Sequence, residues 1–204
     1  MEVSTWTDHG ATGVSSKNGD TFNAIDANVV RAGNGWVMNF GSFWGDIHQV
    51  PLTGDDLKQA PGIPYKQIAF QPAGTQEQEG SHIYERQGIF YLFWSEGICC
   101  VFDKTKPAPG GASTRSAKDV AGPYVGREAK SCTAGGGTNV VEGHGFVYGP
   151  GGQGARTVLS CTTTTGDIDN TVPLANAVIP GGLADSKYRF GWKTLNWSCG
   201  WPSV

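Results

Sequence analysis

The chain has 204 residues, enough for one domain, with 18 acidic and 15 basic side chains and a net charge of −3. That balance leaves no basic footprint for nucleic acid, and no apolar run approaches the ~20 residues of a membrane span. Glycine is abundant at 31, tryptophan frequent at 7 and methionine scarce at 2, so turn residues and aromatics outweigh helix formers. That excess favours an all-β class.

The N-terminus, MEVSTWTDHG, has neither a basic n-region nor an apolar h-region, so no signal peptide is expected there. It opens on turn-like residues without a first strand, as though the chain starts in mid-fold. The first clear strand signal is FNAIDANVV at Phe22–Val30, where Asp26 stands before an apolar β-branched run. Asp is depleted in strands, so it either caps a turn or does chemistry. GNGWVMNF and GSFWGD follow, a glycine turn, an aromatic strand and a strand exit that carries Phe43 and Trp44. Those aromatics are either core residues or flat faces for sugar rings.

The pattern then recurs in QEGSHIYERQGIFYLFWSEGICC. Asp26 precedes Gly35 by nine residues and Glu79 precedes Gly88 by nine; Asp26 precedes Ser42 by sixteen and Glu79 precedes Ser95 by sixteen. A third segment, VEGHGFVYGPGG, begins in the same way at Glu142, so the three acids are 53 and 63 residues apart. Self-similarity near 50 residues with several short strands per unit suggests propeller blades. The spacing predicts Asp26, Glu79 and Glu142 each at the start of an inner strand, with Trp36–Phe40 and Ile89–Trp94 as second strands. Inner-strand ends converge on one pocket, so Asp26 and Glu79 are expected to face one another across it. An Asx-turn cap explains one acid but not a Glu in the matched place. Paired carboxylates across a pocket are the machinery of glycoside hydrolysis, one donating a proton and the other acting on the opposite face.

The five cysteines show no zinc spacing, and their odd number prevents complete pairing. Adjacent Cys99 and Cys100 read as two thiols on alternate faces of a strand, the alternative being a vicinal disulfide. Asn196-Trp197-Ser198 is a glycosylation sequon, meaningful only in a secreted chain.

NAID, GSFWGDI, EGSHIY, YLFWSEGICC, GPYVG, GGGTNVVEGHGFVYGPGGQG and FGWKTLNWSCGWPSV together resemble glycoside hydrolase family 43, in particular the fungal endo-α-1,5-L-arabinanases. The resemblance covers most of residues 6–154 and 183–204. It implies an inverting hydrolase of plant cell-wall arabinan on a five-bladed β-propeller, working outside the cell as a monomer. Glu79 then matches the general acid and Asp26 the Asp that orients it and tunes its pKa. An ionised Asp26 would keep Glu79 protonated, as that role requires. Asn23, Ser42, Phe43 and Trp44 match the lining of the sugar pocket.

Two departures stand out. The blade that carries the family's general base would precede residue 6; Asp8 in WTDHG matches a blade-end turn instead. Counting repeats gives a single partial propeller of about three blades over 1–204, truncated at the N-terminus. Residues 155–182 also leave the pattern. There the family has Leu-Tyr-Tyr-His-Tyr, whose His helps to hold a central metal, a calcium by resemblance. Read one nucleotide late, such codons give Cys-Thr-Thr-Thr-Thr, the CTTTT at Cys161–Thr165. That match points to a frame-shifted stretch; a divergent loop is the alternative. The resemblance thus implies a central calcium whose His-bearing stretch departs from the pattern, and no other cofactor is expected. Three outcomes stay open: an arabinanase with little activity in this chain alone, a catalytically silent carbohydrate-binding fragment, and a product that does not fold stably.

Overall fold

A computed structural model of the chain describes residues 6–74, 77–97, 111–144, 148–155, 157–158, 170–171, 174–178, 188–192 and 194–204. Cys99, Cys100 and the Cys161–Thr165 stretch lie outside them. The described residues are almost wholly β-structure, apart from a 3₁₀ turn at Cys132–Ala134.

The first blade runs β1 (Asn28–Ala32), β2 (Gly35–Phe40) and β3 (Ile47–Thr53), with an outer edge in two pieces, β4 (Lys58–Gln59) and β5 (Lys66–Ala69). Every pairing is antiparallel. The second blade, β6 (Gln78–Arg86), β7 (Ile89–Glu96), β8 (Gly111–Ala117) and β9 (Thr138–Glu142), is likewise an antiparallel meander in chain order. Strands of a third blade follow. β10 (Tyr148–Gly151), β13 (Leu174–Val178) and β14 (Tyr188–Trp192) form one sheet, and β11 (Thr157–Val158) pairs with β12 (Asn170–Thr171). The hairpin of β15 (Asn196–Ser198) and β16 (Trp201–Ser203) closes the chain.

The two aromatic runs are the second strands of their blades, as the repeat requires. β7 reads as a nearly continuous apolar run because blades pack on both of its faces. Leu92 and Trp94 meet Ile47, Ile68 and Ala69 of the first blade. Tyr91 and Phe93 face the other way, toward Val140, Ala155 and Leu195. Leu92 and Trp94 are both 0% exposed, each burial contributing roughly 1.5–3 kcal/mol. β1 alternates half-buried and exposed residues instead, as a strand with one solvated face does. Its sheet buries Met38, Phe40, Val50 and Leu52 beneath Val14, Phe22 and Ala24 of the N-terminal segment.

The hairpin turns show why the matched glycines are only nearly equivalent. Gln87 and Gly88 both take positive φ, 51° and 74°, in the two-residue loop between β6 and β7. That is the conformation a right-twisted hairpin favours. Gly35 instead opens β2, and Gly33 (φ 57°) makes the bend.

The third repeat differs from the expectation. Glu142 does not begin an inner strand; it is the last residue of β9, the outer strand of the second blade, paired with Gly111 and hydrogen-bonded by Asn139 Nδ2 at 2.5 Å. Long connections shift the register here. Residues 118–137 leave the second blade to clasp the outer edge of the first, with Phe70 N donating to Cys132 O and Gly135 N to Phe70 O. A constant 50-residue spacing cannot survive that excursion.

Candidate active site

The inner strands of the three repeats meet along two rows of polar contacts. In one, Asn28 Oδ1 accepts from Ile83 N at 3.0 Å, Asn28 Nδ2 lies 3.0 Å from His82 Nδ1, and His82 Nε2 lies 2.9 Å from Ala155 O. Burial lowers the His82 pKa, so the ring is neutral, donating from Nε2 and accepting at Nδ1. Two residues earlier in each repeat, Gly80 N donates to Asp26 Oδ2 at 3.1 Å, and Gln153 Nε2 donates to Gly80 O at 2.5 Å. Asp26 therefore bonds across the seam to the next blade rather than capping its own strand.

Glu79 stands beside that contact. Its Oε2 accepts from Ser42 Oγ at 3.0 Å, and Ser42 and Glu79 also pair through their backbones. Glu79 is half-buried, and burial raises its pKa; the Ser42 hydrogen bond opposes the rise and the charge of Asp26 adds to it. The structure thus brings Asp26 and Glu79 to one seam, with Ser42 bonded to Glu79; neither acid lines the described pockets, so the expected facing across a pocket is not seen there.

Phe43 joins them through its backbone, N donating to Gln78 O at 3.1 Å. Asn23 and Trp44 sit elsewhere: both line an open pocket of about 880 Å³ with Phe22, His48, Gln67 and Phe70, which the acids do not border. Trp44, 60% exposed, offers a flat face to solvent.

The loop that carries these aromatics is strained. Phe43, Trp44 and Asp46 all have positive φ, at 56°, 50° and 52°, and Asp26 has 57°. Such angles cost non-glycine residues energy and concentrate at functional sites. Asp46, which motif reading did not single out, pins the loop. Its N donates to Phe43 O at 2.8 Å and its Oδ2 accepts from Gln71 N at 2.6 Å. It is fully buried between the blades. Burial lifts its pKa to about 6, against hydrogen bonds from the Gln71 and Gln78 backbones that pull it down. Gly41, before the loop, cannot carry a side chain, because a Cβ would lie 1.9 Å from Asp46 O.

Gln153 is the other residue that spacing missed, and its partner is Ser95, which the sixteen-residue offset matches to Ser42. Ser95 Oγ donates to Gln153 Oε1 at 2.8 Å and accepts from Gly152 N at 2.8 Å. Ser42 holds Glu79 at the first seam as Ser95 holds Gln153 at the second. The signal was present as Glu79-Gly80 beside Gln153-Gly154. Gln153, not Glu142, is the third member of the series.

Among the described residues no three His, Cys, Asp or Glu side chains stand together as a metal-binding set. The stretch expected to carry the family's metal-holding His lies outside those residues.

No family model matches the chain. All of it aligns with the arabinan endo-1,5-α-L-arabinosidase A of Aspergillus niger, at 40% identity over 212 residues and 62% of that protein's length. The glycoside hydrolase family 43 endo-arabinanase of Bacillus licheniformis superposes with a TM-score of 0.78 at 26% identity, covering 98% of this chain and 63% of that one. A Cellvibrio cellulosa α-L-arabinanase complexed with arabinohexaose gives 0.82 at 24% identity, covering 98% and 62%. The blades are those of the five-bladed arabinanase propeller. Over all of its own length this chain is thus a homologue of the fungal arabinan endo-1,5-α-L-arabinosidases, of whose length it spans about 62%.

Proposed function

We propose that this chain carries the proton-donating side of a site that hydrolyses α-1,5-linked arabinofuranose bonds in arabinan with inversion, outside the cell. The observation that carries the reading is the meeting of Ser42, Glu79 and Asp26 at the first seam. Protonated Glu79 gives its proton to the glycosidic oxygen as the bond to the anomeric carbon breaks. Water then attacks the opposite face of the oxocarbenium-like carbon, activated by a second carboxylate ~6.5–9.5 Å away. Asp26 has a different part: its charge favours the protonated form of Glu79, and its bond to Gly80 N sets their separation. Asp26 is the carboxylate whose charge bears on Glu79 among the described residues, so the reading assigns the water-activating base to a residue beyond them. Phe43 would stack on a sugar ring beside the acids with Ser42 as a polar contact, while Trp44 and Asn23 would meet the polysaccharide farther along, in the separate pocket that they line.

Reducing-sugar release from linear arabinan tests this. The reading expects little release from the 204-residue chain, since it assigns the base to the part of the Aspergillus niger relative that this chain does not span, and loss of a base costs ~10²–10⁴ in rate. It expects full activity once the chain is completed with the unmatched part of the Aspergillus niger relative. Glu79→Gln should abolish turnover in that completed enzyme, and Asp26→Asn should be nearly as severe. Robust release by the short chain would mean that the base lies within it and that these roles are wrong. The exposure of Trp44 favours a second reading, a catalytically silent arabinan binder. Retardation in arabinan-affinity electrophoresis that Trp44→Ala removes, without activity in the completed enzyme, would select it.

A further inference from the structure

We propose that Gln153 is a positioning residue for Glu79: it fixes the Gly80 backbone from the third repeat while Asp26 fixes it from the first. The inference rests on Glu79 being the proton donor, but its geometry stands apart from arabinan.

β6 pairs regularly with β7 except between Glu79 and His82, where the register shifts. Three steps along β6 there oppose two along β7, Ser95 to Phe93, which is a β-bulge. Gly80 lies in the bulge with φ 60°, a conformation that favours glycine. A bulged residue loses its ladder partners, and its N–H and C=O must find others. They do so on either side, in Asp26 Oδ2 and Gln153 Nε2. The Glu79 side chain leaves the backbone one residue before this doubly held point.

Gln153 is equipped to act as a fixed prop. It is 5% exposed. An amide can present either end, and here the end is chosen. Gly152 N donates to Ser95 Oγ, so the Ser95 proton is directed to Gln153 Oε1, which leaves Nε2 to donate to Gly80 O. The relay runs Gly152, Ser95, Gln153, Gly80, Asp26 and links all three repeats. A carboxylate at 153 could not replace it when ionised, because it has no proton to give Gly80 O. Glutamine is therefore the residue that this place in the series requires, where the preceding repeat has glutamate.

Two NMR readouts on the 204-residue chain test the proposal without substrate: titration of the ¹³C-labelled Glu79 carboxyl, and hydrogen-exchange protection of the Gly80 amide. In Gln153→Ala, freed from its prop, Glu79 should titrate closer to an ordinary glutamate, and Gly80 protection should fall about 2- to 10-fold, as loss of one hydrogen bond implies. Gln153→Glu is the discriminating variant. Protonated at low pH, it donates to Gly80 O and keeps native protection; ionised at higher pH, it loses it. Ser95→Ala should act like Gln153→Ala, more weakly, and it serves if Gln153→Ala does not fold. Melting-temperature losses with Glu79 titration and Gly80 protection unchanged would make Gln153 only a staple between blades and overturn the proposal. A wild-type chain without a cooperative thermal transition would overturn it too, since the relay would not exist. Failure of Glu79→Gln to affect turnover in the completed enzyme would refute the catalytic reading while leaving these readouts untouched.

Discussion

The two seams between the inner strands are built alike and chemically opposite. At the first, a buried serine at the exit of the second strand donates to a carboxylate, Glu79; at the second, the matching serine donates to an amide, Gln153. Both serines are buried, Ser42 at 6% and Ser95 at 8% exposure. One scaffold thus holds a titratable group and its neutral isostere in equivalent places. The difference shows that the hydrogen-bonding frame comes from the repeat, whereas of the two seams the first alone places an ionisable Glx beside a second acid.

The largest effect should come from making the seams identical. Glu79→Gln keeps an acceptor for Ser42 and removes only the proton to be donated. Turnover in the completed enzyme should fall by at least the ~10²–10⁴ typical of a general acid. Thermal stability should hold or rise above the raised pKa of Glu79, because a partly buried charge is removed. Calorimetry beside the activity assay checks the separation, and a large stability loss would break the equivalence of the seams.

Packing is expected to be symmetric where chemistry is not. Trp94 faces the first seam and Phe93 the second. Either residue changed to Ala should cost about 3–5 kcal/mol, measured by denaturant unfolding. A much smaller cost at Phe93 would mark the second seam as the looser.

Asp46 confines a pH effect to the first seam. Its pKa is raised from 3.8 to about 6, so the folded chain holds a proton that the unfolded chain has released between those values. Its contribution is full below pH ~4 and is lost as pH rises through about 6, by at most ~3 kcal/mol. The melting temperature should therefore lose a component between pH 4 and 6 that Asp46→Asn restores, since the amide oxygen can still accept from Gln71 N. Equal pH dependence in that variant would rule out Asp46 as the source.

The smallest effect sharpens the comparison by sign. Ser42→Ala removes the bond that lowers the Glu79 pKa, so the alkaline limb of the completed enzyme's pH–rate profile should move up. Ser95→Ala loosens the Gln153 prop and should move the same limb down. Shifts of one sign in both variants would show that the serines act only through general packing.

Blades were legible in the sequence because strand order within them follows chain order and apolar patterning reports burial directly. The run Ile89–Trp94 is apolar on both faces because sheets cover both, and β1 alternates because one face is solvated. The meeting of Asp26 and Glu79 was legible because two consecutive blades repeat the same offsets, and Ser42 entered through the family resemblance. Glu142 misled because spacing alone cannot register the 118–137 connection, which runs outward to brace the first blade and delays the next inner strand. Asn23 and Trp44 fell on a pocket that the acids do not border; for Trp44, left-handed backbone at Phe43 and Trp44 redirects the chain directly after Ser42.

By itself, then, the sequence determined the all-β class, the blade repeat and which two acids come to one seam, for these depend on local periodicity and matched spacing. The tertiary structure alone decided what holds those acids. Gln153 reaches Gly80 from 73 residues away, and Asp26 reaches it from 54. Asp46 takes up its role by burial between two sheets. Contacts of that kind depend on how separate blades stack and on which polar atoms a bulge leaves without ladder partners. No periodicity within a single strand encodes either.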